Sequence, residues 1–337
     1  MLWLKLFGGR KMISAVGWPM WALIILFICG LILIIKGGDF FVDAASWMAE
    51  VSGIPHFVIG ATVVSLATTL PELIVSCLGA ARGSNAIAIG NAVGSVTANT
   101  GLIMAISIIC IPAAVKRSQY AVKSLLLLLV SVILYISSLG ESFSLIGSIA
   151  LLIIFVFSVY DSIKSGKEES AQTEKRGFTK KEIPINIVKF VLGAAGIVIG
   201  ADFLVSSATE IAALSGVSEA VISATIVAVG TSLPELVTTV TAVIKKRSSL
   251  SVGNILGANL IDLAIILPIC SIVSGGRLTA CPQNLFLDIP VCILLLCIAV
   301  IPMLFRGKFT RPQGILLLVL YIAYTVFISF FNPFAVV

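Results

Sequence analysis

Apolar residues run in long stretches along this chain, and polar positions between them are few. A helix crossing a bilayer needs about 20 apolar residues. On that ruler the pattern predicts ten spans, near residues 19–47, 56–81, 86–111, 119–138, 143–163, 185–213, 218–244, 249–273, 285–305 and 314–332. The connections are short, so the expected architecture is an all-α integral membrane bundle. The longest polar stretch, KSGKEESAQTEKRGFTKKEI at 164–183, is mixed in charge and too short to fold as a domain. The N-terminal MLWLKLFGGRKMISAVGW could pass for the start of a signal peptide. The apolar run that follows continues into GGDFFVDAAS without a convincing cleavage site, so it reads as a helix of the mature protein.

Composition supports this picture. Of 337 residues, 59% are hydrophobic and only 11% charged, against about 25% charged in soluble proteins. Such a chain cannot cover a water-facing surface. Its net charge of +6 does not point to nucleic acid, because the basic residues sit between spans and report topology. Fourteen of them fall on one face: Lys116 and Arg117, six within 164–181, Lys245, Lys246, Arg247, Arg306, Lys308 and Arg311. Five fall on the other: Arg82, Arg277 and, against the trend, Lys5, Arg10 and Lys11. The richer face is expected to be cytoplasmic. That gives a multi-pass cell-membrane protein with both termini outside and the 164–183 loop in the cytoplasm. It is expected to act as a monomer. The seven cysteines lack C-x-x-C spacing and His56 is the only histidine, so they read as small buried hydrophobes with no zinc or haem site.

Displaced by 163 residues, the chain matches itself. Thr68, Pro71 and Glu72 meet Thr231, Pro234 and Glu235. Gly90, Asn91 and Gly94 meet Gly253, Asn254 and Gly257, and Asn99 meets Asp262. Gly37, Asp39 and Phe40 meet Gly200, Asp202 and Phe203. Chance similarity between oily helices would align Leu, Ile and Val, not these residues at one offset. The halves are 1–163 and 184–337, five spans each. Five is odd, so the second half enters from the opposite side and the repeats are inverted, with spans 2 and 7 discontinuous. Inverted repeats with interrupted helices point to a transporter with a midplane site; the plainer alternative is duplication without transport.

The chemistry lies in ATTLPEL at 67–73 and GTSLPEL at 230–236. Proline has no N–H and its ring clashes with the carbonyl four residues back. Pro71 and Pro234 therefore free the carbonyls of Ala67 and Gly230, which must be satisfied at membrane depth. Thr68, Thr69, Thr231 and Ser232 add hydroxyls, and Glu72 and Glu235 add carboxylates. Taken singly, a membrane proline is a kink and a membrane glutamate a packing hydrogen bond. Both together, twice and symmetrically, point to a cation. On the following spans Asn91, Ser95 and Asn99 share one helical face, as do Asn254, Ala258 and Asp262. The G-x-x-x-G spacings there read as close helix packing. Hard oxygen donors without His or Cys select Ca2+, Mg2+ or Na+, and the flexible set of 6–8 oxygens suits Ca2+. Three carboxylates in low dielectric cannot all stay ionised and empty, so the cluster holds cations or protons. That property suits an exchanger. Asp39 and Asp202 read as helix-end residues, with a role in the ion access path as the alternative. Asp43, Glu210, Glu219 and Asp288 read as solvated near span ends.

These paired segments resemble the two alpha-repeats of the cation/calcium exchanger superfamily, in particular prokaryotic sodium/calcium exchangers. The resemblance covers essentially the whole chain, with the alpha-repeats at about 56–111 and 218–273. It implies one calcium position flanked by sodium positions. Glu72 and Glu235 would be shared ligands, Asn99 and Asp262 would complete the centre, and Thr68, Thr69, Thr231, Ser232 and Ser95 would line the sodium positions. The backbone oxygens of Ser65 and Ala228 would contribute. Spans 1 and 6 would slide as a pair against the other eight, with Na+ driving Ca2+ extrusion. The chain departs from the family pattern at Ala258, where Ser is usual, and at Val96 and Ala67. These changes bear on sodium affinity and stoichiometry more than on calcium binding. Ca2+ and Na+ are then transported substrates, and no organic cofactor is expected. The alternatives are proton/calcium or potassium-assisted exchange and, more remotely, an intramembrane enzyme, for which the chain offers no His cluster.

Overall fold

A computed structural model describes residues 17–81, 83, 85–110, 117–140, 142–170, 177–214, 230, 232–276 and 278–330. Among these residues the chain is all helical. Helix α1 spans Met20–Ser52 and ends at Gly53, whose φ of 70° is a left-handed cap. Helices α2 (His56–Thr68) and α3 (Leu70–Ala81) form one span bent by 43°. Helix α4 covers 85–110, α5 Arg117–Ser137, α6 Leu145–Ser170 and α7 Glu182–Leu214. Helix α8 is Leu233–Ile244, α9 Ser248–Val273, α10 Asn284–Arg306 and α11 Arg311–Phe330. Among the described residues, eight helices are long and apolar enough to cross a membrane, or nine when the bent pair is counted as one. The predicted span 218–244 appears only in its second part, as α8, because 215–229 lie outside the described residues. The 164–183 stretch is not all loop, since α6 continues to Ser170 and α7 begins at Glu182.

Large apolar side chains face outward, among them Ile28, Ile32, Ile35, Ile153, Val191 and Phe305. In water such a belt would be costly; in lipid it is the expected surface. The main interior cluster draws on α2–α6 and α9–α11, with Tyr120, Ile89, Leu127, Leu151, Leu263 and Leu295 fully buried. Helices α1 and α7 stand outside it. They pack on each other along their length, with Phe41, Val42, Ala45 and Ile197 in a smaller cluster, and the Phe41 and Phe190 rings stack at 4.5 Å.

Glycine makes this pairing possible. A Cβ on Gly37 would lie 2.9 Å from the Gly193 carbonyl oxygen, and one on Gly30 2.9 Å from that of Gly200. The two backbones therefore touch directly. Gly30 opposite Gly200 and Gly37 opposite Gly193 also means that α1 and α7 run antiparallel. Along the second half of α1, side chains reach across to the α8–α9 turn. Lys245 Nζ lies 2.8 Å from Asp43 Oδ1 and 3.2 Å from Asp39 Oδ1, and Arg247 pairs with Glu50 at 2.6 Å. All five side chains are part-exposed.

Asp288 corrects the reading of a solvated span end. It is buried, and its carboxylate accepts from Tyr324 Oη at 2.9 Å and from Asn284 Nδ2 at 2.8 Å. Asn284 lies one turn earlier on α10, but Tyr324 comes from α11, 36 residues on, and no local sequence signal marks its arrival.

Candidate cation site

The break between α2 and α3 falls at Thr69, with φ −85° and ψ −1°. Ser232, which precedes α8, has φ −92° and ψ 9°. These positions are repeat mates, and both sit in the sparsely allowed bridge region. Pro71 and Pro234 each occupy the second position of the helix that follows, where a missing N–H costs nothing. The ladder restarts identically: Leu73 N–H donates to Thr69 O at 3.1 Å and Leu236 N–H to Ser232 O at 3.0 Å. Glu72 and Glu235 therefore lie in first turns, where the helix dipole favours negative charge.

Asn99 and Asp262, also repeat mates, each open a widened π turn, at Asn99–Met104 and Asp262–Ile266. Such turns gather at functional sites. Asn91 and Asn254 act as braces. Asn91 Nδ2 donates to Ser76 Oγ at 2.9 Å, and Asn254 Nδ2 to Thr238 Oγ1 at 3.1 Å. Each ties its helix to the one after the break. Gly253 and Gly257 let α9 lie against α2: a Cβ on Gly253 would overlap the Phe57 carbonyl oxygen, and one on Gly257 would stand 2.7 Å from that of Ala61.

This packing buries Glu72, Glu235 and Asp262 to 1% exposure or less. Glu72 is within electrostatic reach of both other acids, and Asp262 of Glu235. Among the described residues no cation faces them, and no three acidic, histidine or cysteine side chains close into a metal cage by themselves. Among the described residues, both carboxylate oxygens of Glu72, both of Asp262 and Oε2 of Glu235 have no hydrogen-bond partner. The same is true of Asn99 Oδ1, Ser95 Oγ and Ser232 Oγ. Buried polar atoms are normally paired, and unpaired buried charge is expensive.

The hydroxyls of Thr68 and Thr69 turn toward the second half. Thr69 Oγ1 donates to Ser65 O at 2.6 Å and stands 3.4 Å from Glu235 Oε1. A hydroxyl has one proton, and the shorter bond holds it. Thr69 Oγ1 and Glu235 Oε1 thus face each other with lone pairs. Thr68 Oγ1 lies 3.3 Å from Ser65 O and 3.4 Å from Asn254 Oδ1. The Ser65 carbonyl also takes the Thr69 N–H at 2.9 Å. Thr231 and Ala228 lie outside the described residues. Two residues escaped the reading of the sequence. Asn259 and Thr100 are buried here, with Asn99 Nδ2 donating to Asn259 Oδ1 at 3.1 Å and Asn259 Nδ2 to Thr100 Oγ1 at 3.0 Å. Asn259 falls off the face shared by Asn254, Ala258 and Asp262, so the spacing did not select it.

A family profile described as sodium/calcium exchanger protein matches residues 22–164 and 185–330. The chain belongs to the sodium/calcium exchanger family. An uncharacterized membrane protein of Methanocaldococcus jannaschii is 33% identical over 88% of this chain and 94% of its own length. The sodium/calcium exchanger MaX1 of Methanosarcina acetivorans is 28% identical over 90% of this chain and 97% of its own. In three dimensions the chain is similar to the sodium–calcium exchanger NCX_Mj, solved after soaking in 2.5 mM Na+ and 10 mM Sr2+. The TM-score is 0.80 and the identity 30%, over 91% of this chain and 99% of that one. Members of this family are transporters, so the chain is an exchanger and not an enzyme.

Proposed function

We propose that the chain is a secondary antiporter that exchanges Na+ for Ca2+ by alternating access at a midplane site. The observation that carries this is the set of buried oxygens without donors on Glu72, Glu235, Asp262 and Asn99. A cation satisfies all of them at once. The 3.4 Å between Thr69 Oγ1 and Glu235 Oε1 is also what two ligands at right angles about one shared cation would show, each at roughly 2.4 Å. Glu72, Glu235, Asp262 and Asn99 form the centre in this reading. Thr68, Thr69, Thr231, Ser232, Ser95 and the backbone oxygens of Ser65 and Ala228 line the flanking Na+ positions. Thr69 can keep its proton on Ser65 O and still present lone pairs to an ion.

The layout is ten spans in two inverted five-span repeats, 1–163 and 184–337, with helices 2 and 7 broken. The antiparallel α1–α7 pair and the mated breaks at Thr69 and Ser232 support it. Helices α1 and α7, outside the main core, move as one body while the rest stays fixed. The chain works as a monomer in the cell membrane, with both termini outside and the 164–183 linker in the cytoplasm.

The test is radiolabelled Ca2+ uptake into Na+-loaded proteoliposomes, compared with K+-loaded vesicles and with vesicles holding only a proton gradient. Uptake that needs internal Na+, and is lost in Glu72→Gln and Glu235→Gln, supports the reading. Equal uptake with a proton gradient alone replaces it with proton/calcium exchange.

A further inference from the structure

We propose that Asn259 is a positioning residue that sets which atom of Asn99 faces the transported ion. The inference rests on the proposed role of Asn99 as a ligand. An amide presents an acceptor on one side and a donor on the other. Only the oxygen can bind a cation, and a turned amide would aim N–H groups at it. Asn99 therefore needs something that holds it the right way round.

Asn259 supplies it. Asn99 and Asn259 are each 1% exposed, as is Thr100. Asn99 Nδ2 is taken by Asn259 Oδ1 at 3.1 Å, which leaves Asn99 Oδ1 as the buried atom without a partner. Asn259 Nδ2 in turn donates to Thr100 Oγ1 at 3.0 Å. To turn Asn99 alone would set its oxygen against Asn259 Oδ1 and leave both without a donor, at the cost of an unsatisfied buried pair. The device joins the two halves and has no symmetric counterpart. The repeat mate of Asn259 is Val96, and Asp262, the mate of Asn99, is a carboxylate with oxygens on both sides. An amide needs orienting and a carboxylate does not, so the orienting residue stands only where the amide is.

This logic gives a test that separates positioning from packing. Na+-driven uptake of Ca2+ is measured with the full chain in proteoliposomes, for Asn259→Val in the native background and in an Asn99→Asp background. Asn259→Val alone is expected to raise the Ca2+ KM roughly five- to tenfold, the worth of one oriented contact, with a smaller change in maximal rate. With Asn99→Asp, the same substitution is expected to change KM by less than about twofold. An unchanged KM in the native background, or the same factor in both backgrounds, overturns the inference. Should Asn259→Val fail to assemble, Thr100→Val loosens the same chain from its far end and is read against the same two backgrounds. Glu72→Gln run in parallel keeps the two ideas apart. Its loss of uptake beside a silent Asn259→Val removes only the positioning role, whereas uptake retained in Glu72→Gln removes the site.

Discussion

The two halves of the chain place their glutamates alike and surround them differently. Glu72 and Glu235 lie in the first turns of matching helices, α3 and α8. Yet Glu235 has Thr69 Oγ1 at 3.4 Å, while neither oxygen of Glu72 has a partner among the described residues. About three turns into the next span the contrast sharpens. The first half offers Ser95 and Asn99, which are neutral; the second offers Ala258 and Asp262, which replace a hydroxyl with a methyl and an amide with a charge. Backbone symmetry is thus combined with one-sided chemistry. In the proposed function, a duplicated scaffold supplies two matching approaches to the centre, and a few substitutions decide where a divalent ion is held more strongly than a monovalent one.

Removing the charge difference should have the largest effect. Asp262→Asn makes the second half resemble the first. Stripping one member from a buried charged cluster costs about 3–5 kcal/mol, so Na+-driven Ca2+ uptake is expected to fall more than about 100-fold. The swap Asn99→Asp with Asp262→Asn returns the charge to the opposite half, and is expected to recover at least about tenfold over the single variant. A swap as inactive as the single change would show that the side matters as well as the charge.

Next in size is the contact between the halves. Gly253→Ala wedges a methyl between α9 and the backbone of α2. Such overpacking costs about 1–3 kcal/mol or more, and should lower the unfolding temperature in detergent. Thr69→Val removes the oxygen facing Glu235 and should raise the Ca2+ KM by about three- to tenfold. Ser232→Ala, whose hydroxyl has no partner, should change it less. The smallest effect is expected from Ala258→Ser, which gives the second half the hydroxyl that Ser95 gives the first. It should lower the Na+ concentration for half-maximal exchange by about twofold or less, read from Na+ titration of Ca2+ efflux.

Much of this was legible in the chain because charge and proline inside an apolar run have few inexpensive explanations. Pro71 marks the bend between α2 and α3, and the 163-residue offset pairs its surroundings with those of Pro234. Span ends were less legible. Helix α6 runs past its apolar stretch to Ser170 because a formed helix propagates through polar residues at little cost. Asp288 reads as solvated from the sequence because its donor Tyr324 meets it only when α10 and α11 pack. Asn259 was missed for a related reason. An amide's role depends on which neighbour takes its N–H groups, and Asn99 and Thr100 lie about 160 residues away in the chain.

The ties from Lys245 and Arg247 to Asp39, Asp43 and Glu50 sit where water reaches them. Dissolved ions shorten the reach of such charges, from about 10 Å at 0.1 M to about 3 Å at 1 M. The glycine seam between α1 and α7 carries no charge and is indifferent to that screening. Concentrated electrolyte therefore slackens the grip of the bundle on this pair without parting the pair itself.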